Sequence, residues 1–316
     1  MYWKLLTAVI AGSAVLAATP DIEEPSGLNY DFEVIAFLGD PAPEGGKFDF
    51  DFEAGDINNF GQVLYGADLA TNTGEEIGEG IFLRNQNGET TLLARTGDPA
   101  PGTDTVYGSL GFIEAGRLND RGEAAFAFTL EPVPNNRSIG AGVFRFTQKN
   151  ETIHPVFQPG LTAAPGGGVF EGATIRVSLN NRGALAFAGL VTQGNLIDDL
   201  PPGVPGEDLG VGVFVQNRRG QLTSIVRPGD PAPGGGLFDF AENPWINDRG
   251  DVAFGGHVAG EECVASDLDS QVGRIFCGES VYLKTREGDI ISIAHQGEAI
   301  PASAGGGVYR LAFGPV

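Results

Sequence analysis

The side chains best suited to chemistry in this 316-residue chain sit just ahead of four asparagines, Asn58, Asn119, Asn180 and Asn247. Two positions before them stand Asp56, Arg117, Ser178 and Trp245; four before, Ala54, Ala115, Arg176 and Asn243; five before, Glu53, Glu114 and Glu242. Packing alone does not require mixed charges and an aromatic at equivalent places. Glu53, Asp56, Glu114, Arg117, Arg176, Glu242 and Trp245 are therefore the candidate ligand-binding residues. The plainer alternative is a channel lining around ordered water, with Arg117 and Arg176 neutralising nearby acids. Paired carboxylates in such a channel also suit glycoside hydrolysis, but among 41 acidic residues a pair carries little information.

Other catalytic constellations are weak, and the catalytic residues are unknown. His154, His257 and His295 have no metal-ligand spacing. No Gly-x-Ser-x-Gly, phosphate loop or dinucleotide fingerprint is present. The 41 acids face only 19 bases, for a formal charge of −22. That charge repels phosphate backbones and anionic lipid, which argues against nucleic-acid binding. Four links have unequal lengths, at 70–79, 131–141, 192–211 and 259–279, and acids crowd three of them: Glu75, Glu76, Glu79, Asp198, Asp199, Glu207, Asp208, Glu261, Glu262, Asp267 and Asp269. A solvated acidic face is the simple reading, and weak Ca²⁺ binding the sharper one. Asp267-x-Asp269 lacks the rest of a calcium loop, so no metal ligand is nominated and no other cofactor is expected.

The elements that position these residues repeat. Asn58-Asn59-Phe60-Gly61 recurs as Asn119-Asp120-Arg121-Gly122, Asn180-Asn181-Arg182-Gly183 and Asn247-Asp248-Arg249-Gly250. Further landmarks keep one order, including Gly39-Asp40-Pro41-Ala42-Pro43 with copies at 97–101 and 229–233 and weaker ones at 160–165 and 297–301. Each unit reads as four strands, A to D. Strand A ends at the Asn. Asn first and Gly last make a tight A–B hairpin turn, and the C–D turns at 85–88, 147–150, 217–220 and 285–288 use the same chemistry. Asn150 there takes the place of Gly in the left-handed position. Apolar Ile57, Leu118, Leu179 and Ile246 should be buried between sheets. Asp40, Asp98 and Asp230 should cap their turns before Pro; Leu161 in the third copy excludes a site needing all of them. Tandem four-stranded antiparallel units predict an all-β, propeller-like fold of about four blades, with a β-sandwich or stacked β-array as the alternative. A–B and C–D turns then share one face, and the variable acidic links the other.

The Asn-x-x-Gly-x-x-Ala-Phe strings at 119–126, 180–187 and 247–254 resemble the signature of bacterial exported tandem-repeat NxxGxxAF-containing, choice-of-anchor proteins. That resemblance implies export and no assigned activity. Leu64-Tyr65 replaces Ala-Phe in the first copy, and no recognisable anchor follows the last repeat.

Residues 1–18 read as a signal peptide, from Lys4, an apolar run and Ala17-Ala18. Residues 19–30 are a linker and 31–316 one repeat domain, with units near 31–90, 91–151, 152–221, 222–288 and a partial 289–316. Residues 31–38 look like an extra strand D, and the chain's last residues like an extra strand A. Cys263 and Cys277 suggest a disulfide in an exported chain, periplasmic or extracellular. The expected function is a non-catalytic scaffold or binding protein that recognises a protein partner, glycan or ion through the acidic loop face. A propeller glycoside hydrolase and a purely structural surface component are the alternatives. No second apolar segment predicts a membrane span in the mature chain, and the oligomeric state is not legible.

Overall fold

The structure, a computed structural model, describes residues 33–109, 115–132, 139–193, 207–259 and 280–295, with 298, 299 and 303. It is all-β and propeller-like, with four antiparallel sheets in chain order. The first holds β1 (Lys47–Ile57), β2 (Val63–Ala70), β3 (Glu76–Arg84) and β4 (Thr90–Arg95). In the second, β5 (Thr105–Tyr107) and β6 (Arg117–Leu118) both pair with β7 (Ala124–Pro132), followed by β8 (Ala141–Thr147) and β9 (Thr152–Phe157). The third holds β10 (Val169–Leu179), β11 (Leu185–Gln193), β12 (Glu207–Gln216) and β13 (Leu222–Val226). The fourth holds β14 (Phe238–Ile246), β15 (Val252–Val258), β16 (Ser280–Lys284) and β17 (Ile290–Ala294). No helix among the described residues is long and apolar enough to cross a membrane.

Alternating apolar residues give each sheet two buried faces, and successive sheets stack through them. Leu64, Ile81, Leu83 and Leu93 of the first sheet meet Tyr107, Leu118, Phe126 and Phe144 of the second in one core. A second core joins sheets two and three, and a third joins three and four. In every sheet an aromatic near the start of the inner strand stands edge-on to the aromatic of the third strand: Phe48 on Phe82, Tyr107 on Phe144, Phe170 on Phe214 and Phe238 on Tyr282. Their centroids lie 5.1, 5.1, 4.8 and 4.9 Å apart, a favoured aromatic geometry.

Tyr107 is the one hydroxylated member of the inner set, and its Oη is buried without a hydrogen-bond partner. Burial pushes the phenol far above its ordinary range. Tyr107→Phe should therefore stabilise the protein by about 1 kcal/mol, because a buried unpaired hydroxyl is costly. Thermal unfolding of the two chains checks this; a lower midpoint in the variant would contradict it.

The links between sheets are clasps, not variable loops. Gly39, Gly97, Gly160 and Gly229 each donate their N–H to the carbonyl of the inner-strand aromatic, at 2.6–2.8 Å. Asp40 and Asp230 accept backbone N–H bonds from Phe37 and Arg227, and Asp98 accepts from the Arg95 side chain. Where Leu161 replaces Asp, Thr162 Oγ1 accepts the Gln158 N–H instead. Asp40 and Asp230 cap turns, as their place before proline suggested, while Asp98 pairs with the Arg95 side chain instead.

Three expectations need correction. Glu33 to Phe37 form no strand; Ile35 and Ala36 pack on the Phe48, Tyr65 and Phe82 cluster. The left-handed residue of the second C–D turn is Glu151, with φ of 49°, and not Asn150. Asn150 is drawn off by its side chain, which accepts a 2.7 Å bond from Thr147 Oγ1. Glu79, counted with the solvated acidic face, is buried and accepts hydrogen bonds from Thr96 and Ser109.

Candidate functional site: the channel between the inner strands

The four asparagine corners gather at one end of the molecule. Asn58, Asn119 and Asn180 each fold a turn by accepting N–H bonds on Oδ1 from residues two and four further on. Each then donates from Nδ2 to the carbonyl of the next corner asparagine: Asn58 to Asn119 at 3.0 Å, Asn119 to Asn180 at 3.1 Å and Asn180 to Asn247 at 2.8 Å. A second ladder runs beside it. The N–H of Asn59 reaches Asp120, that of Asp120 reaches Asn181, and that of Asn181 reaches Asp248. Ile57, Leu118, Leu179 and Ile246 line a cavity of about 330 Å³ framed by these corners. They border this opening while Leu118 and Ile246 also belong to the cores between sheets and Leu179 packs against one, as the sequence placed them. Only Leu118 and Ile246 are fully buried.

A second cavity of about 310 Å³ is lined by Glu53, Ala54, Gly55, Asp56, Ala115, Arg117, Arg176 and Trp245. All four sheets contribute. Backbone irregularities create the space: β1 slips register between Ala54 and Asp56, β10 between Ala173 and Val177, and β14 between Glu242 and Trp245. Bulges re-aim side chains, and here they turn repeat-breaking residues toward a common space. In the second sheet Gly116 has φ of +91°, and a Cβ there would sit 2.1 Å from the Ala125 carbonyl oxygen. Only glycine fits that close approach.

Five of the seven nominated residues thus meet: Glu53, Asp56, Arg117, Arg176 and Trp245. Glu242 does not line the cavity; it is half-buried and accepts a 3.2 Å bond from Asn243 Nδ2. Glu114 lies outside the described residues, as do Cys263, Cys277 and the links holding Asp198, Asp199, Glu261, Glu262, Asp267 and Asp269. Sequence reasoning missed the small residues Ala54, Gly55 and Ala115, which make the room. Their clustering just ahead of the corners is the signal that could have found them.

The guanidinium of Arg117 lies over the Trp245 ring at 4.8 Å, a cation–π contact joining the second sheet to the fourth. Its Nη1 donates to the Gly116 carbonyl, and its Nε is buried without a hydrogen-bond partner. Asp56 has a different job from the one expected. Its two carboxylate oxygens accept the N–H groups of Ile57 at 2.9 Å and Leu118 at 3.1 Å, tying the first inner strand to the second. Ser178 repeats this tie, accepting the Ile246 N–H at 3.0 Å. Burial pushes the Asp56 carboxyl above its ordinary range, although both N–H bonds and Arg117 pull the other way.

The three histidines stay apart. His257 is buried, 2.7 Å from Asp239 and stacked on Phe240. His154 is exposed on β9, and His295 follows β17. Among the described residues no three His, Cys, Asp or Glu side chains gather in a metal-holding arrangement.

Fold and site together define an all-β, propeller-like protein with a polar cavity among its inner strands. The chain belongs to a family of unknown function (DUF7453), which matches residues 25–316. No curated protein matches it. Among solved structures it is similar to the uncomplexed Pyrococcus horikoshii acylaminoacyl peptidase, at 13% identity and a TM-score of 0.38, over 78% of this chain and 33% of that one. It is also similar to a protein provisionally named as a gluconolactonase, at 12% identity and a TM-score of 0.35, over 80% of this chain and 67% of that one. The chain therefore spans a third of the peptidase's length. Likeness at this level says nothing about its chemistry.

Proposed function

We propose that this is an exported, non-catalytic binding protein whose ligand enters the cavity lined by Glu53, Arg117, Arg176 and Trp245. One observation carries the reading: the side chains that break the repeat come from all four sheets and meet in a single cavity. Export rests on the apolar leader at 1–18 and on the resemblance to exported tandem-repeat proteins. The acidic links remain a second recognition surface for a partner, a glycan or Ca²⁺ in this proposal.

The competing reading is hydrolysis by channel carboxylates. Its best support is the raised carboxyl of Asp56, since a general acid needs such a shift. Both oxygens of that group are already held by backbone N–H groups, which leaves Glu53 without a second working carboxylate among the described residues of the lining. A thermal-shift panel of small acids, neutral sugars and Ca²⁺ tests the proposal, run on the full chain and on an Arg117→Ala/Arg176→Ala variant. The proposal expects at least one compound to raise the wild-type midpoint by several degrees and to lose that effect in the variant. A flat panel, hits indifferent to both arginines, or turnover abolished by Glu53→Gln would overturn it.

A further inference from the structure

We infer that the cavity takes a small hydroxylated ring bearing one carboxylate, an acid of the hexuronate kind. The inference rests on the binding reading above and deepens it.

The cavity's lining combines two opposite chemistries. Arg117 and Arg176 put two guanidiniums into one cavity of a chain with formal charge −22. Asp56 neutralises Arg117 only through space, because its own oxygens are taken by Ile57 and Leu118. Arg117 is held on the Trp245 ring and keeps a buried Nε–H with no hydrogen-bond partner. A fixed guanidinium fork with an unused donor matches a planar carboxylate. The charge of the whole molecule opposes each added negative charge on a ligand, so one carboxylate is favoured over sulfate, phosphate or a polyanion.

Volume and lining set the rest of the ligand. About 310 Å³ is at the small end of ligand pockets and admits a single ring, not a chain. Trp245 gives the lining an aromatic side chain beside the guanidinium it holds, and Ala54, Gly55 and Ala115 keep the rest of the lining small. Glu53 is an exposed member of the same lining and can only accept hydrogen bonds when ionised. It would repel an acid group and receive a hydroxyl. The ligand therefore enters with its carboxylate toward the arginines and its hydroxyls toward Glu53, which separates a sugar acid from an aromatic acid.

The test uses Trp245 itself. Trp3 and Trp245 are the two tryptophans, so the full chain carrying Trp3→Phe reports on the cavity alone. Its fluorescence is titrated with glucuronate, glucose, benzoate and sulfate. Glucuronate should saturate at least tenfold more tightly than glucose and more tightly than benzoate or sulfate. Arg117→Ala, Arg176→Ala and the charge-conserving Arg117→Lys should each weaken glucuronate tenfold or more, with unfolding midpoints showing that the variants fold. Glu53→Gln should narrow the gap between glucuronate and benzoate. If benzoate or sulfate binds best and still needs Arg117, the ligand class is wrong while the binding cavity stands. If no probe alters Trp245 fluorescence, or none depends on either arginine, both fall.

Discussion

Phe187→Ala should remove about 3–5 kcal/mol of folding free energy, the largest effect expected of any single substitution here. Phe187 is the phenylalanine of the repeated Ala-Phe string, fully buried. It belongs to a four-ring cluster: its centroid lies 5.1 Å from Phe157, 5.6 Å from Phe170 and 5.8 Å from Phe214. Phe157 comes from the second sheet and the other three from the third, so the cavity left by truncation opens at the joint between two sheets. Backbone hydrogen bonds on both strands limit its collapse. A domain holds roughly 5–15 kcal/mol in all, so the loss is a large share of the total. Chemical denaturation measures it. A change below about 1 kcal/mol would mean that the sheets do not pack through this cluster.

Asn119→Ala should cost about 3 kcal/mol, and the equivalent change in a C–D turn far less. Asn119 accepts from Arg121 N–H and Glu123 N–H, and donates to Glu123 Oε2 and to the Asn180 carbonyl. Asn217 makes the same local bonds with Arg219 and Gln221 in the C–D turn of the third sheet. Among the described residues it makes no bond to the next sheet, and its turn is exposed. Asn217→Ala should therefore cost only about 1 kcal/mol, as for the loss of an ordinary cap. The difference isolates the inter-sheet bond and the buried carbonyl it leaves behind. The corner also carries a pH signature. Burial raises the Glu123 carboxyl, but hydrogen bonds from Arg121 and Asn119 outweigh it and hold the group below its ordinary range. A depressed carboxyl contributes stability that is full above its unfolded value and lost as pH falls through its folded value. The Asn119→Ala deficit should therefore shrink in acid. Equal costs for Asn119→Ala and Asn217→Ala would remove the ladder from the account.

The corners were legible because their chemistry is local. An Asx side chain closes its own turn within four residues, so four copies of Asn-x-x-Gly predict four similar bends wherever they lie. Strand order followed, since each hairpin is fixed by its turn. What failed was counting through a bulge. Glu242 was nominated by its place five residues before a corner, but the strand irregularity at Asn243, whose φ is +51°, lies between it and that corner. The slip between Ala54 and Asp56 works in the opposite direction and brings Glu53 to the cavity. The strand ties made by Asp56 and Ser178 were not legible for another reason. Their partners are backbone N–H groups of neighbouring sheets, about 62 and 68 residues away in sequence, and no local pattern encodes such a partner. Arg117 over Trp245 is likewise a contact between units, visible in the sequence only as two departures from the repeat.

That contact is the most direct check on the claim that the repeat-breaking residues converge. Acrylamide quenching of Trp245 would be measured in the Trp3→Phe chain with Arg117 present and with Arg117→Ala, alongside Arg219→Ala in an exposed turn as a control. The structure predicts that losing Arg117 uncovers the ring and raises the quenching constant about twofold or more, with the control unchanged. Equal quenching in all three chains would mean that residues 117 and 245 do not meet, and the shared cavity would be lost with them.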